Sequence, residues 1–138
     1  MDTSNQYIKM SDCPEIQEQW KPEIGDWVAL RKNKKSVGIV VGILGPPRTI
    51  YVQLIGGWRN IYSTLECIWL PRQDQIQDMC KPKIREDQKN THAYVKGDNP
   101  EGFINSCLLG DFFRWEDKYY KTYSSMEQLW LAFYIHER

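Results

Sequence analysis

The spacing of apolar and polar positions changes character along the chain. Between Ile24 and Trp69, short runs rich in Val, Ile, Tyr and Trp ("GDWVALR", "SVGIVVGIL", "RTIYVQLI" and "WRNIYSTLECIWL") are separated by the turn signals "KNKK", "GPP" and "GG". In "TIYVQLI", Ile50, Val52 and Leu54 alternate with Tyr51, Gln53 and Ile55, which sends one set to a core. Four or five short strands in so short a stretch predict an antiparallel meander over residues 24–70. Closing it into a small SH3-like barrel would remove its exposed edges. Residues 1–23 are predicted to hold a helical segment in "SDCPEIQEQW". Asp12 is its expected N-cap, Glu15 the partner in a capping box, Pro14 lies in the first turn, and Ile16 and Trp20 form a short stripe.

Beyond Leu70 the period lengthens. "LPRQDQIQDMCKP" predicts a helix with Pro71 at its first turn, Pro82 just past its end, and a thin apolar face of Ile76, Met79 and Cys80. "KIREDQKNTHAYVKGDN" has no clear period and reads as a loop. Asn99 then caps a stronger helix with Pro100 at its first position and a stripe of Ile104, Leu108, Phe112, Trp115 and Tyr119. Gly102 and Gly110 each weaken that helix by roughly 1 kcal/mol relative to Ala, which predicts close packing at both. The last helix is predicted from Ser124, with Glu127 completing a capping box and Met126, Leu129, Trp130, Phe133 and Tyr134 on one buried face. Leu131 and Ile135 lie off that stripe and offer a second face to a partner or another copy of the chain. The expectation is one α+β domain over residues 1–138: an N-terminal helical segment (1–23), a small antiparallel barrel (24–70) and a helical C-terminal half (71–138) packed against it.

Composition narrows the function. Hydrophobic residues make up 41% and aromatics 13% of the 138 residues, which argues for a folded chain. The 18 Lys and Arg balance the 18 Asp and Glu, so no global field draws the molecule to nucleic acid or an anionic membrane. Cys13, Cys67, Cys80 and Cys107 are too scattered for a zinc site, and no metal or cofactor is expected. The N-terminus lacks an apolar export segment, so the cysteines are expected to be reduced and the chain cytoplasmic. Apolar runs such as "LWLAFYI" fall short of the roughly 20 residues that span a bilayer.

Candidate chemistry is sparse. "RKNKK" gathers Arg31, Lys32, Lys34 and Lys35 at a predicted hairpin turn, where Trp27, Tyr51, Trp58 and Tyr62 offer stacking platforms for single-stranded nucleic acid. A solvated turn over a barrel filled by those aromatics explains the same residues. The glycines of "GILGPP" and "IGGW" lack phosphate-loop spacing and read as turns. A Cys107 pair with His92 or His136 has no supporting motif, so no enzyme is expected. In "WLPRQDQIQDM", Arg72, Gln73, Asp74, Gln75 and Gln77 form a dense polar stretch, which a strand-to-helix transition held by Trp69 and Pro71 accounts for without a ligand.

"IWLPRQDQIQDM" and "SSMEQLWLAFYIHER" resemble the paired motifs of a family of small uncharacterised bacteriophage and prophage proteins. Its members carry a WLPRQDQ-like stretch in mid-chain and a SMEQLWLAF-like helix near the C-terminus; the tight match covers about a fifth of this chain. The resemblance implies an accessory protein acting in the cytoplasm of a bacterial host, with no catalytic residue or ligand attached. The resulting expectation is a non-enzymatic interaction module for a host or phage protein, within whose range lies an inhibitor of a host system. Nucleic-acid binding through the basic hairpin is the alternative, and a homodimer through the C-terminal helix is compatible with either.

Overall fold

Five antiparallel strands organise the first half of the chain in a computed structural model that describes residues 1–45, 48–89 and 99–137. They are β1 (Trp27–Leu30), β2 (Val37–Gly45), β3 (Thr49–Leu54), β4 (Arg59–Ser63) and β5 (Cys67–Leu70), in the order β4-β3-β2-β1-β5. Together with the helices this is the expected α+β class. The period-2 reading holds: Ile50 and Val52 are buried with Val28, Leu30, Val40 and Cys67, and Trp20, Leu54 and Tyr62 pack against them. Gly38 marks the close approach of β2 to β3, since a Cβ there would lie 2.7 Å from both the Gln53 carbonyl oxygen and Val52 Cγ1.

The predicted barrel does not close. β4 and β5 are the two free edges of an open sheet, joined by a 3-10 turn (Thr64–Glu66) that carries the chain from one edge to the other. Side chains do the work that closure would have done. At β5, the Gln17 amide mimics a neighbouring strand: its Oε1 accepts from Trp69 N at 2.9 Å and its Nε2 donates to Trp69 O at 3.0 Å. At β4, Asn60 Oδ1 accepts from Ile61 N at 2.8 Å and Glu66 Oε1 from Ser63 N at 3.0 Å, the latter within a capping box.

Gln17 is delivered by α2 (Pro14–Gln17), which follows α1 (Asn5–Ser11). The N-terminal segment therefore differs from its expectation. The helix α1 is additional, capped by Ser4, whose Oγ accepts from Tyr7 N at 3.2 Å. Tyr7 and Ile8 are buried where α1 packs against β5, and the Tyr7 hydroxyl donates to the Pro71 carbonyl. The residue preceding α2 is Cys13, without a side-chain cap, and Asp12 is used elsewhere.

The chain divides into two compact units, Met1–Arg72 and Gln73–Arg138. In the second, α3 (Gln73–Gln88), α4 (Pro100–Tyr119) and α5 (Met126–Glu137) pack on one another. Pro82 lies inside α3 and does not end it. Proline withdraws one N–H from the ladder, yet Ile76, Cys80 and Ile84 continue a buried i, i+4, i+8 stripe through it. The expected loop is therefore helical as far as Gln88; its remainder from residue 90 to 98 lies outside the described residues. Arg85 ties α3 to α4 through a two-pronged contact with Glu101, at 3.0 and 2.8 Å from Nη2, and holds that carboxyl below its usual pKa.

Asn99 caps α4 as expected, its Oδ1 accepting from Gly102 N at 3.0 Å. The two glycines of α4 then separate. A Cβ on Gly102 would collide with the Asn99 side chain, whereas one on Gly110 would meet only Arg114 Nη1, at 3.8 Å. Close packing explains the first and not the second. Gly110→Ala should therefore raise the unfolding free energy by about 1 kcal/mol, while Gly102→Ala lowers it by displacing the cap; chemical denaturation of the two variants checks the opposite signs. The start of α5 falls one residue later than predicted. Ser125 Oγ accepts from Gln128 N at 3.1 Å, and the Gln128 Oε1 reaches back to accept from Ser124 N at 3.2 Å.

Candidate binding surface

The β1–β2 turn presents the basic cluster in a fixed shape. Leu30 N donates to Ser36 O at 3.0 Å, Ser36 N to Asn33 O at 2.9 Å, and Lys35 N to Asn33 Oδ1 at 3.2 Å. Arg31, Lys32, Lys34 and Lys35 are all exposed. Asp12 serves here as a counter-ion, 2.7 Å from Arg31 Nη1 and 3.7 Å from Lys34 Nζ. Exposed pairs of this kind contribute about 0–1 kcal/mol, so Asp12 positions the two cations more than it stabilises the fold.

The β3–β4 turn stands at the same end of the sheet. Gly56 takes φ +70°, the left-handed conformation that a tight reversal needs and that glycine adopts without strain. Gln53 braces the turn: its Nε2 donates to Gly57 O at 3.0 Å and its Oε1 accepts from Arg59 Nε at 2.7 Å. Ile55 N donates to Val37 O at 2.9 Å and so fastens this turn to the start of β2.

Between the turns lies an open cleft of about 500 Å³, lined by Trp27, Lys34, Lys35 and Ile55 together with Thr3 and Asn5 from the N-terminal segment. Trp27 is half-buried there, and among the described residues no carboxylate lines the cleft. Trp58, on the same turn as Ile55, is 87% exposed. Of the residues singled out from sequence, Trp27, Lys34 and Lys35 thus meet in one cleft, with Trp58 on the turn beside it. Lys32 lies on the basic turn but does not line the cleft, and Arg31 faces elsewhere. Tyr62 belongs to the core, and Tyr51 sits half-buried opposite Ile61. Ile55 was missing from the candidates, although an apolar residue directly before a Gly-Gly reversal was a signal for it; nothing local marks Thr3 or Asn5.

Leu131 and Ile135 do not form a shared face. Leu131 is 0% exposed, so the expected second surface of the last helix does not include it, while Ile135 is exposed. The reason is that α5 buries the whole run from Gln128 to Phe133, leaving no free flank at that level.

Among the described residues, the cysteines and His136 are not brought together. Burial pushes the Cys67 and Cys80 thiols up to about 12, and it raises those of Cys13 and Cys107 as well, so none is an activated nucleophile. His136 lies beside the paired Trp115 and Tyr119 rings with its Nδ1 2.9 Å from Glu137 Oε1; His92 lies outside the described residues. Among the described residues no group of three or more His, Cys, Asp or Glu is placed to hold a metal ion, and no helix is long and apolar enough to cross a membrane. No protein-family model, curated protein or solved structure matches the chain.

Proposed function

We propose that the chain is a non-enzymatic binding protein that engages another protein through the end of the sheet where the β1–β2 and β3–β4 turns meet. The observation that carries this reading is Trp58, whose indole is 87% exposed on a turn braced by its neighbours. Leaving so large an apolar ring in water forgoes stabilisation that burial would give, and the fold makes no use of it. Aromatic anchors on rigid supports are the side chains that dominate protein interfaces. Lys34 and Lys35 in the adjoining cleft favour a partner with acidic groups near its anchor pocket. The resemblance to small phage proteins implies a module working in the cytoplasm of a bacterial host on a host or phage protein, with inhibition of a host system as one use of the contact.

Nucleic acid is the second reading, favoured by the meeting of Trp27 with Lys34 and Lys35 in one cleft. Affinity capture from a bacterial host lysate, with and without nuclease, separates the two. A stoichiometric protein retained after nuclease by the wild type, and reduced at least tenfold with Trp58→Ala, is the expected result. Recovery that vanishes with nuclease and depends on Lys34 and Lys35 would replace it with the nucleic-acid reading.

A further inference from the structure

The basic cluster is divided between two clefts, and the second has no role in the surface described above. It lies within the sheet unit, about 340 Å³ in volume, lined by Arg31 and Arg48 with Trp20, Pro22, Thr64 and Leu65. We propose that this cleft receives a carboxylate-bearing segment of the protein partner, with the carboxylate between Arg31 and Arg48 and an adjacent apolar side chain against Trp20 and Leu65. The assignment rests on the protein-binding reading and adds to it the chemistry of what is bound.

Each wall contributes a distinct property. Trp20 is a fixed plate: its indole N–H donates to Asp26 Oδ2 at 2.9 Å and its ring lies parallel to Trp69, 7° apart in plane. A plate held at both its edge and its face loses little freedom when a ligand lands on it. Leu65 is 71% exposed on the 3-10 turn, an apolar side chain left in water at the rim. The backbone N–H of Thr64 donates to Arg48 O at 2.8 Å. That backbone bond sets Arg48 and Thr64 side by side. Arg31 donates Nη1 to Asp12 at 2.7 Å, and guanidinium groups bind carboxylates through their remaining N–H donors.

Glu18 also lines the cleft and shapes its selectivity. With Glu18 in the lining and Asp12 paired to Arg31, the two guanidinium groups already face two carboxylates, so a dense polyanion meets more repulsion than a single carboxylate does. A nucleic-acid strand is thereby disfavoured at this cleft, and an isolated Asp, Glu or terminal carboxylate beside an apolar residue fits it.

The test uses the full chain and small probes, so that it does not depend on knowing the partner. N-Acetylphenylalanine is titrated against the labelled protein by NMR, with N-acetylphenylalaninamide as the uncharged control and inorganic phosphate as the control without an apolar body. The Trp20 indole N–H and the Thr64 and Leu65 amides are the reporters. The expected result is saturable millimolar binding of the acid at these reporters, at least tenfold weaker for the amide, for phosphate and for the Arg48→Glu variant. The Lys35→Glu variant, which alters only the first cleft, should leave it unchanged. Equal binding of acid and amide, an unaffected Arg48→Glu variant, shifts confined to Trp27 and Ile55, or no shifts in the millimolar range would each overturn the proposal. Partner capture reports separately on the broader reading: a partner lost with Trp58→Ala but indifferent to Arg48→Glu removes this cleft and leaves the binding function standing.

Discussion

Trp130→Ala is expected to lower the unfolding free energy by about 3–5 kcal/mol, the range for truncating a fully packed aromatic residue. Trp130 is 1% exposed. Its ring stacks on Phe112 with centroids 3.7 Å apart and meets Phe133 edge-on at 5.8 Å. Phe133 in turn stands edge-on to Phe112 at 5.6 Å, so the three rings form one closed cluster joining α4 to α5. Alanine removes the ring common to the stacked and perpendicular contacts and leaves a void that flanking rings cannot fill without leaving their own partners. The indole N–H has no hydrogen-bond partner among the described residues, so the contribution of Trp130 comes from contact area rather than from a polar bond. Trp130→Phe should therefore recover most of the loss. Urea denaturation followed by far-ultraviolet circular dichroism measures both; an alanine variant within about 1 kcal/mol of wild type would mean that the stacked cluster is not formed.

The same helix shows why part of the fold was legible in the sequence and part was not. A stripe reading assumes that a helix has one dry side and one wet side. That assumption serves α4, where Ile104, Leu108, Phe112 and Trp115 are buried and Leu109 and Phe113 are exposed. It fails for α5, where Gln128 through Phe133 are buried in succession, and Leu131, off the stripe, is as dry as Trp130 on it. The strands were readable because one face of the sheet is covered by the core, which enforces alternation in Ile50 and Val52. Barrel closure was not readable, because the edges are settled by individual side chains. The bond between Gln17 and Trp69 spans 52 positions of sequence and leaves no local pattern.

The candidate surface was legible to a similar depth. Dense charge marked the basic turn, and "IGGW" marked the reversal that carries Trp58. Neither revealed that Ile55 and Val37 bond the two turns together, or that Asp12 draws Arg31 and Lys34 to one side. Asp12 shows the ambiguity plainly. Before "CPE" it has the form of a helix cap, and that role and the role of counter-ion require the same short carboxylate. Only the approach of the β1–β2 turn decides between them.

Asp26→Ala should be the corresponding weak point of the sheet unit, destabilising it by about 2–3 kcal/mol, as expected when part-buried donors lose a charged acceptor. Asp26 is 1% exposed at the entrance to β1. Its Oδ2 accepts from Trp20 Nε1 and from Glu23 N, both at 2.9 Å, and its Oδ1 lies 3.7 Å from Arg72 Nη1. Its backbone also takes part: Asp26 N donates to Glu23 O at 3.1 Å, and Asp26 O accepts from Val40 N at 2.9 Å. One carboxylate thus fixes the turn before β1, the attitude of the Trp20 plate and the end of β5 where Arg72 follows. Alanine takes the shared acceptor from two part-buried donors at once, which costs more than their net hydrogen bonds alone, while Arg72 keeps its contact with Gly25 O and water. Asp26→Asn keeps an acceptor for Trp20 and should lose less than half as much. Coupling between Asp26 and Trp20 is measured by a double-mutant cycle with Trp20→Phe, for which 1 kcal/mol or more is expected. Additive effects would show that the plate is held by its stacking on Trp69 alone, and the rigid wall assigned to the second cleft would then lose one of its two supports.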